Sequence, residues 1–119
     1  MKKILFVMVG LFLLVTLFGC SSSPKTPILT EGKFQVVKDG LTELQDIGIF
    51  DKISYIDEGI VWVKSPFYLL SFEDKTTFAV AVYLYCQHEN VDISMLFLRD
   101  YLINKDIGTY TEVRGLRLD

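Results

Sequence analysis

The sequence predicts an α+β domain in which one main helix packs on a small antiparallel sheet. Three observations predict it. A serine-capped apolar run fills the middle of the chain, from Phe72 to about Gln87. Two β-branched and aromatic runs separated by a glycine turn come before it. A stretch of alternating apolar residues comes after it.

In chain order, Met1-Lys2-Lys3 is a short positive segment and Ile4 to Phe18 an apolar one, broken only by Gly10 and Thr16. As a helix that run would be about 22 Å long at ~1.5 Å per residue, short of a ~30 Å hydrocarbon core. Its length and flanks fit a secretory signal over residues 1–19. Ser21 to about Lys33 carries Ser, Pro, Thr and Gly, which reads as a flexible tether over residues 20–33. A single small domain is then expected over residues 34–119.

Leu17-Phe18-Gly19-Cys20 resembles the lipobox of bacterial lipoproteins, with Phe18 standing where a smaller side chain is usual. The resemblance implies cleavage between Gly19 and Cys20 and a diacylglycerol on the Cys20 sulfur, a covalent lipid in place of any other cofactor. Two or three acyl chains hold a protein stably on a bilayer, where one gives marginal binding. The lipid bilayer is thus the first expected partner, and the expected address is a cell membrane. With Ser21 after the cysteine, that is the periplasmic side of the outer membrane in a Gram-negative cell. In a Gram-positive cell it is the outer face of the cytoplasmic membrane.

Within the domain, Phe34 to Val37 reads as a short strand closed by Asp39-Gly40. Leu41, Leu44 and Ile47 then mark one or two helical turns ended by Gly48. Lys52 to Ile56 and Ile60 to Lys64 are strand-like, with Asp57-Glu58-Gly59 as the hairpin turn. Ser65-Pro66 and Ser71-Phe72-Glu73-Asp74 are successive helix starts, the second close to a capping box. Two readings compete for residues 76–86. Alternation of Phe78, Val80, Val82, Leu84 and Cys86 suits a strand, whereas the doubled start signal favours a helix. Ile93 to Leu98, Ile107 to Val113 and Leu116 to Leu118 read as antiparallel strands, with Asn104-Lys105 a turn and Gly108 a bulge or close-approach site.

The run Val61-x-Val63, Pro66-Phe67, Leu70, Glu73-x-Lys75, Phe78-Ala79, Tyr83, Tyr85-Cys86 resembles a segment of small bacterial envelope lipoproteins of uncharacterised function. The resemblance covers about residues 59–118. It implies strand, helix and C-terminal sheet in that order.

Little here carries chemistry. Removing Lys2 and Lys3 leaves 10 basic residues against 15 acids, a formal charge of −5. The basic residues are scattered, which argues against nucleic acid as a partner. His88 is the single histidine, and with Cys86 it does not make a structural zinc site, so no metal is expected. Cys86 and His88 lie on one face only if the segment is a strand. Read in a helix, Cys86 is a buried small hydrophobe. Glu73-Asp74, Asp57-Glu58 and Asp100 with Asp106 are the carboxylate pairs, the first two explained by capping and turn roles. No catalytic residue is assigned. A helix apolar on every side must be covered on more than one face, so Phe78, Val82 and Tyr85 form a candidate partner face.

The resulting expectation is a non-enzymatic, membrane-anchored lipoprotein whose domain binds another envelope protein or itself. Two alternatives stand beside it. One is an inhibitory or exclusion lipoprotein acting on a foreign or lytic protein, and the other is a thiol enzyme using Cys86.

Overall fold

Phe34, Val37, Leu41 and Leu44 form one buried stripe at helical spacing, and they explain the first element of the computed structural model, which describes residues 31–119. Helix α1 runs unbroken over Glu31–Asp46. The strand expected at Phe34 to Val37 is therefore helix. Asp39-Gly40, taken as a turn, lies inside it, because burial of the stripe outweighs the ~1 kcal/mol cost of one interior glycine. Residues 31–33, placed in the tether by composition, are its first turn. Gly48, at φ +89°, ends it in the left-handed region that glycine enters without a Cβ penalty.

Strands β1 (Phe50–Ser54) and β2 (Gly59–Val63) form the antiparallel hairpin read from the sequence. A short 3₁₀ helix, Ser65–Leu69, follows with Pro66 in its first turn. Helix α2 spans Phe72–Glu89, so residues 76–86 are helix and not strand. Ser71 is its cap: its hydroxyl oxygen accepts from the Asp74 backbone N–H at 3.1 Å, an interaction that stabilises such a helix by about 1 kcal/mol. Strands β3 (Leu96–Asp100), β4 (Asp106–Thr111) and β5 (Gly115–Leu118) complete one five-stranded sheet in the order β1-β2-β3-β4-β5.

The α+β class holds, but the sheet is mixed, not antiparallel throughout. β2 and β3 pair in parallel, with Gly59 opposite Leu96 and Val63 opposite Asp100. The cause is α2. Eighteen helical residues run about 27 Å at ~1.5 Å each, which returns the chain to the end of the sheet where β2 began. The next strand must then run the same way.

Strand alternation divides the sheet faces. Val61, Val63, Leu96, Leu98 and Leu116 point toward the helices and are buried, while Trp62 and Arg99 on the opposite face are half-exposed. On that face Lys52 Nζ lies 4.6 Å from the Trp62 ring centre and Arg99 flanks the same ring at 5.6 Å. Helix α2 lies against β2 to β5, and α1 packs on α2 and β1. Gly108 is where the backbones crowd: a Cβ there would sit 2.6 Å from the Arg117 carbonyl oxygen.

Candidate functional site

Phe78 and Val82 are fully buried and Tyr85 is half-buried, so the partner face expected on α2 does not exist as a surface. The premise was sound: one sheet covers only one side of this helix. The other side is covered from within the chain by α1. Phe34 of α1 stacks on Tyr85, with ring centres 5.6 Å apart, and on His88 at 3.6 Å. Phe78 meets Phe50 and Phe67 at 5.5 and 5.7 Å.

Cys86 is fully buried, its Sγ 3.9 Å from the Ser54 carbonyl oxygen. Burial pushes its thiol up to about 12, so it is not a ready thiolate. His88 lies two positions on in the same helix, against Phe34, with a buried Nδ1 that has no hydrogen-bond partner and stands 3.9 Å from Glu89 Oε1. The two do not form a nucleophilic pair. The carboxylates have structural roles instead: Glu73 and Asp74 occupy the first turn of α2, Asp106 accepts from Arg99 Nε at 2.8 Å, and Asp100 accepts from the Tyr68 hydroxyl. Among the described residues no group of three or more His, Cys, Asp and Glu could hold a metal ion. Gly19 and Cys20 lie outside the described residues.

What the fold does build is an apolar tip at the carboxyl ends of the parallel strands. β2 leads there into the 3₁₀ helix and the start of α2, which expose Tyr68, Leu69 and Phe72. β3 leads into a turn that exposes Tyr101, Leu102 and Ile103. Leu69 is 85% exposed and Leu102 76%. The other large apolar side chains exposed among the described residues, Val36, Ile56, Val91 and Val113, are spread over α1 and other turns.

The tip is held rigidly. Asp100 Oδ1 accepts from the backbone N–H groups of Leu102 and Ile103 at 2.8 and 3.0 Å. Its other oxygen accepts from the Tyr68 hydroxyl, which ties the two segments together. Asn104 turns the chain at φ 53°, a conformation that Asn tolerates better than most residues, and its side-chain oxygen accepts from Trp62 Nε1 at 3.3 Å. The Tyr101 N–H donates to the Val63 carbonyl at 2.9 Å. Lys64 lies over the Tyr101 ring at 5.3 Å. Desolvation and the bond to Asp100 push the Tyr68 hydroxyl up to about 12. The same bond, with the Ile103 and Leu102 amides, holds the Asp100 carboxyl below the usual carboxylate range.

Such a surface supplies no proton relay, nucleophile or cation cage. It presents apolar side chains on a backbone already fixed by hydrogen bonds, which lowers the backbone part of the cost of docking. Sequence reading missed it. The signal was Leu102-Ile103, two apolar residues placed in a turn, beside Leu69-Leu70 directly after a Ser-Pro start.

Among the described residues no helix is long and apolar enough to cross a membrane. Comparison with protein-family models, with curated proteins and with solved structures finds no match to this chain.

Proposed function

We propose that this chain is a lipid-anchored bacterial envelope lipoprotein, not an enzyme, and that its domain docks another protein on the apolar tip formed by Tyr68, Leu69, Phe72, Tyr101, Leu102 and Ile103. The observation that carries the reading is the rigid exposure of apolar side chains in a turn locked from several directions by Asp100, Tyr68 and Asn104. Apolar turn residues cost solubility unless something covers them. Anchorage rests on Leu17-Phe18-Gly19-Cys20, with the lipid on Cys20.

The two ends of the domain support this division of labour. The first turns of α1 pack beside the C-terminal end of α2, through Phe34 and His88, whereas the tip lies at the N-terminal end of α2. A tether joined at Glu31 therefore enters the domain at the end away from the tip.

The test is a photo-crosslinking residue at Leu102, and separately at Arg117 on the open sheet face, in cells that carry the full chain. The proposal expects a discrete protein adduct from position 102, absent from position 117 and lost when Leu69→Ser and Ile103→Ser are added. An adduct to a second copy identifies the partner as the protein itself. No adduct from 102, or the same adduct from both positions, overturns the docking site. Incorporation of labelled fatty acid, abolished by Cys20→Ser, tests the anchor separately.

A further inference from the structure

The charges left uncommitted around the apolar tip are ordered by sign. On its helix side, directly after Phe72, Glu73 is exposed and Asp74 half-exposed in the first turn of α2. On its sheet side, Lys105 is exposed in the turn that follows Ile103 and Asn104. None of these three has an ion-pair partner among the described residues. The neighbouring charges are taken. Lys64 Nζ stands 4.0 Å from Asp51 and over the Tyr101 ring, and Lys75 lies over the Phe67 ring. Asp100 accepts from the Tyr68 hydroxyl and Asp106 from Arg99 Nε.

Area sets what the patch can hold. Its six large apolar residues are 44% to 85% exposed. At roughly 200 Å² apiece they present on the order of 700 Å². The largest patch on an ordinary monomer is about 300–600 Å², and each side of a standard protein interface buries about 800 Å². The tip alone comes close to one half of an interface.

The charge order narrows the partner. A two-fold axis through the patch lays its apolar centre on itself and carries Lys105 of each copy onto Glu73 and Asp74 of the other. The surface is complementary to itself. A partner with a uniformly acidic or basic rim would set one side of the tip against a like charge.

We propose, on the reading of the tip as a docking site, that its partner is a second copy of this chain, paired tip to tip about a two-fold axis. The excess of acids over bases on each copy opposes this only at long range, since exposed charges are screened beyond ~8 Å at physiological salt.

The experiment is sedimentation velocity of the full chain in detergent micelles over a concentration series. The expected result is a monomer–dimer equilibrium in the wild type, lost when Leu69→Ser and Ile103→Ser are combined. Glu73→Lys and Lys105→Glu should each weaken pairing at least about fivefold, because each reversal turns two attractive contacts into repulsive ones. Mixed in equal amounts, the two reversed chains should pair with each other more tightly than either pairs with itself. The facing charges at positions 73 and 105 are then again opposite in sign. A mixture no tighter than either variant alone overturns the two-fold arrangement. A dimer untouched by the serine pair, or a wild type that stays monomeric at every concentration, overturns self-pairing at the tip. The docking reading fails separately: a photo-adduct from position 102 to a different protein, beside a monomeric wild type, leaves the tip standing and removes only the second copy.

Discussion

The hydroxyl of Tyr68 donates to the carboxylate of Asp100, joining the 3₁₀ helix after β2 to the turn after β3 at the ends of two parallel strands. The same carboxylate fastens the Leu102 and Ile103 amides. Asp100→Ala removes all three bonds at once and should free the turn while the core stays intact. Amide exchange at Leu102 and Ile103 is expected to quicken clearly in Asp100→Ala. Tyr68→Phe should produce a smaller change, because the backbone bonds remain.

Acid should loosen the turn in the same way. The Asp100 carboxyl titrates below its usual value in the folded chain, so its stabilising contribution is present above the unfolded carboxylate value of ~3.9. It is lost as pH falls through the folded value. Exchange at Leu102 and Ile103, referenced to a core amide such as Leu98, should lose protection at acid pH in the wild type. In Asp100→Asn the same ratio should show no carboxylate titration.

Burial separates the two candidate docking surfaces by stability as well as by binding. Phe78→Ala should cost about 3–5 kcal/mol in urea unfolding, the usual range for a large buried aromatic. Leu102→Ser, at a position 76% exposed, should stay within about 0.5 kcal/mol of wild type. If Phe78→Ala unfolded at the wild-type midpoint, α2 would not be sandwiched between α1 and the sheet.

That contrast shows what the sequence could reveal. The Ser71 cap and the two β-branched runs on either side of Asp57-Glu58 are local signals, and α2 and the hairpin followed from them, with Gly59 opening β2. The parallel pairing of β2 with β3 is not local. It depends on where an eighteen-residue helix delivers the chain, and the residues of β3 carry no mark of strand direction. The stripe Phe34, Val37, Leu41, Leu44 was visible at helical spacing, but Asp39-Gly40 between its members carried the stronger turn signature. The second half of α1 and its end at Gly48 were legible, but reading its first half as a strand left α2 uncovered and so created the mistaken partner face. The tip arises from residues far apart in the chain, Tyr68 with Asp100. No spacing rule could have joined them.

Gly108 tests the sheet itself. It was read as a close-approach site, and a Cβ there would meet the Arg117 carbonyl oxygen at 2.6 Å and Leu118 Cδ2 at 2.7 Å. The side-chain end can move, but the β5 backbone cannot do so without breaking its ladder with β4. Gly108→Ala should therefore destabilise by about 1–3 kcal/mol, the range for overpacking. Gly32→Ala, in a helix and with nothing within 4 Å of the added atom, should be neutral or stabilising by up to about 1 kcal/mol. The pair of urea midpoints checks both signs.

Cys86 and Tyr83 set the behaviour in base. Burial pushes both groups up to about 12 in the folded chain, from ordinary values of 9.0 and 10.0. Each favours the folded state fully while the unfolded chain is still protonated. As pH rises past the unfolded values, the unfolded chain ionises first and stability drains away until the folded values are reached. Urea midpoints should thus fall steadily from about pH 9 upward, the first part of the decline coming from the thiol. In Cys86→Ala that first part should vanish, leaving a decline that begins nearer pH 10 with the tyrosines. The same burial predicts that iodoacetamide leaves Cys86 unmodified in the folded protein and reacts once urea unfolds it. Rapid alkylation at neutral pH without denaturant would mean that the thiol is open to solvent, and would reinstate it as a reactive group.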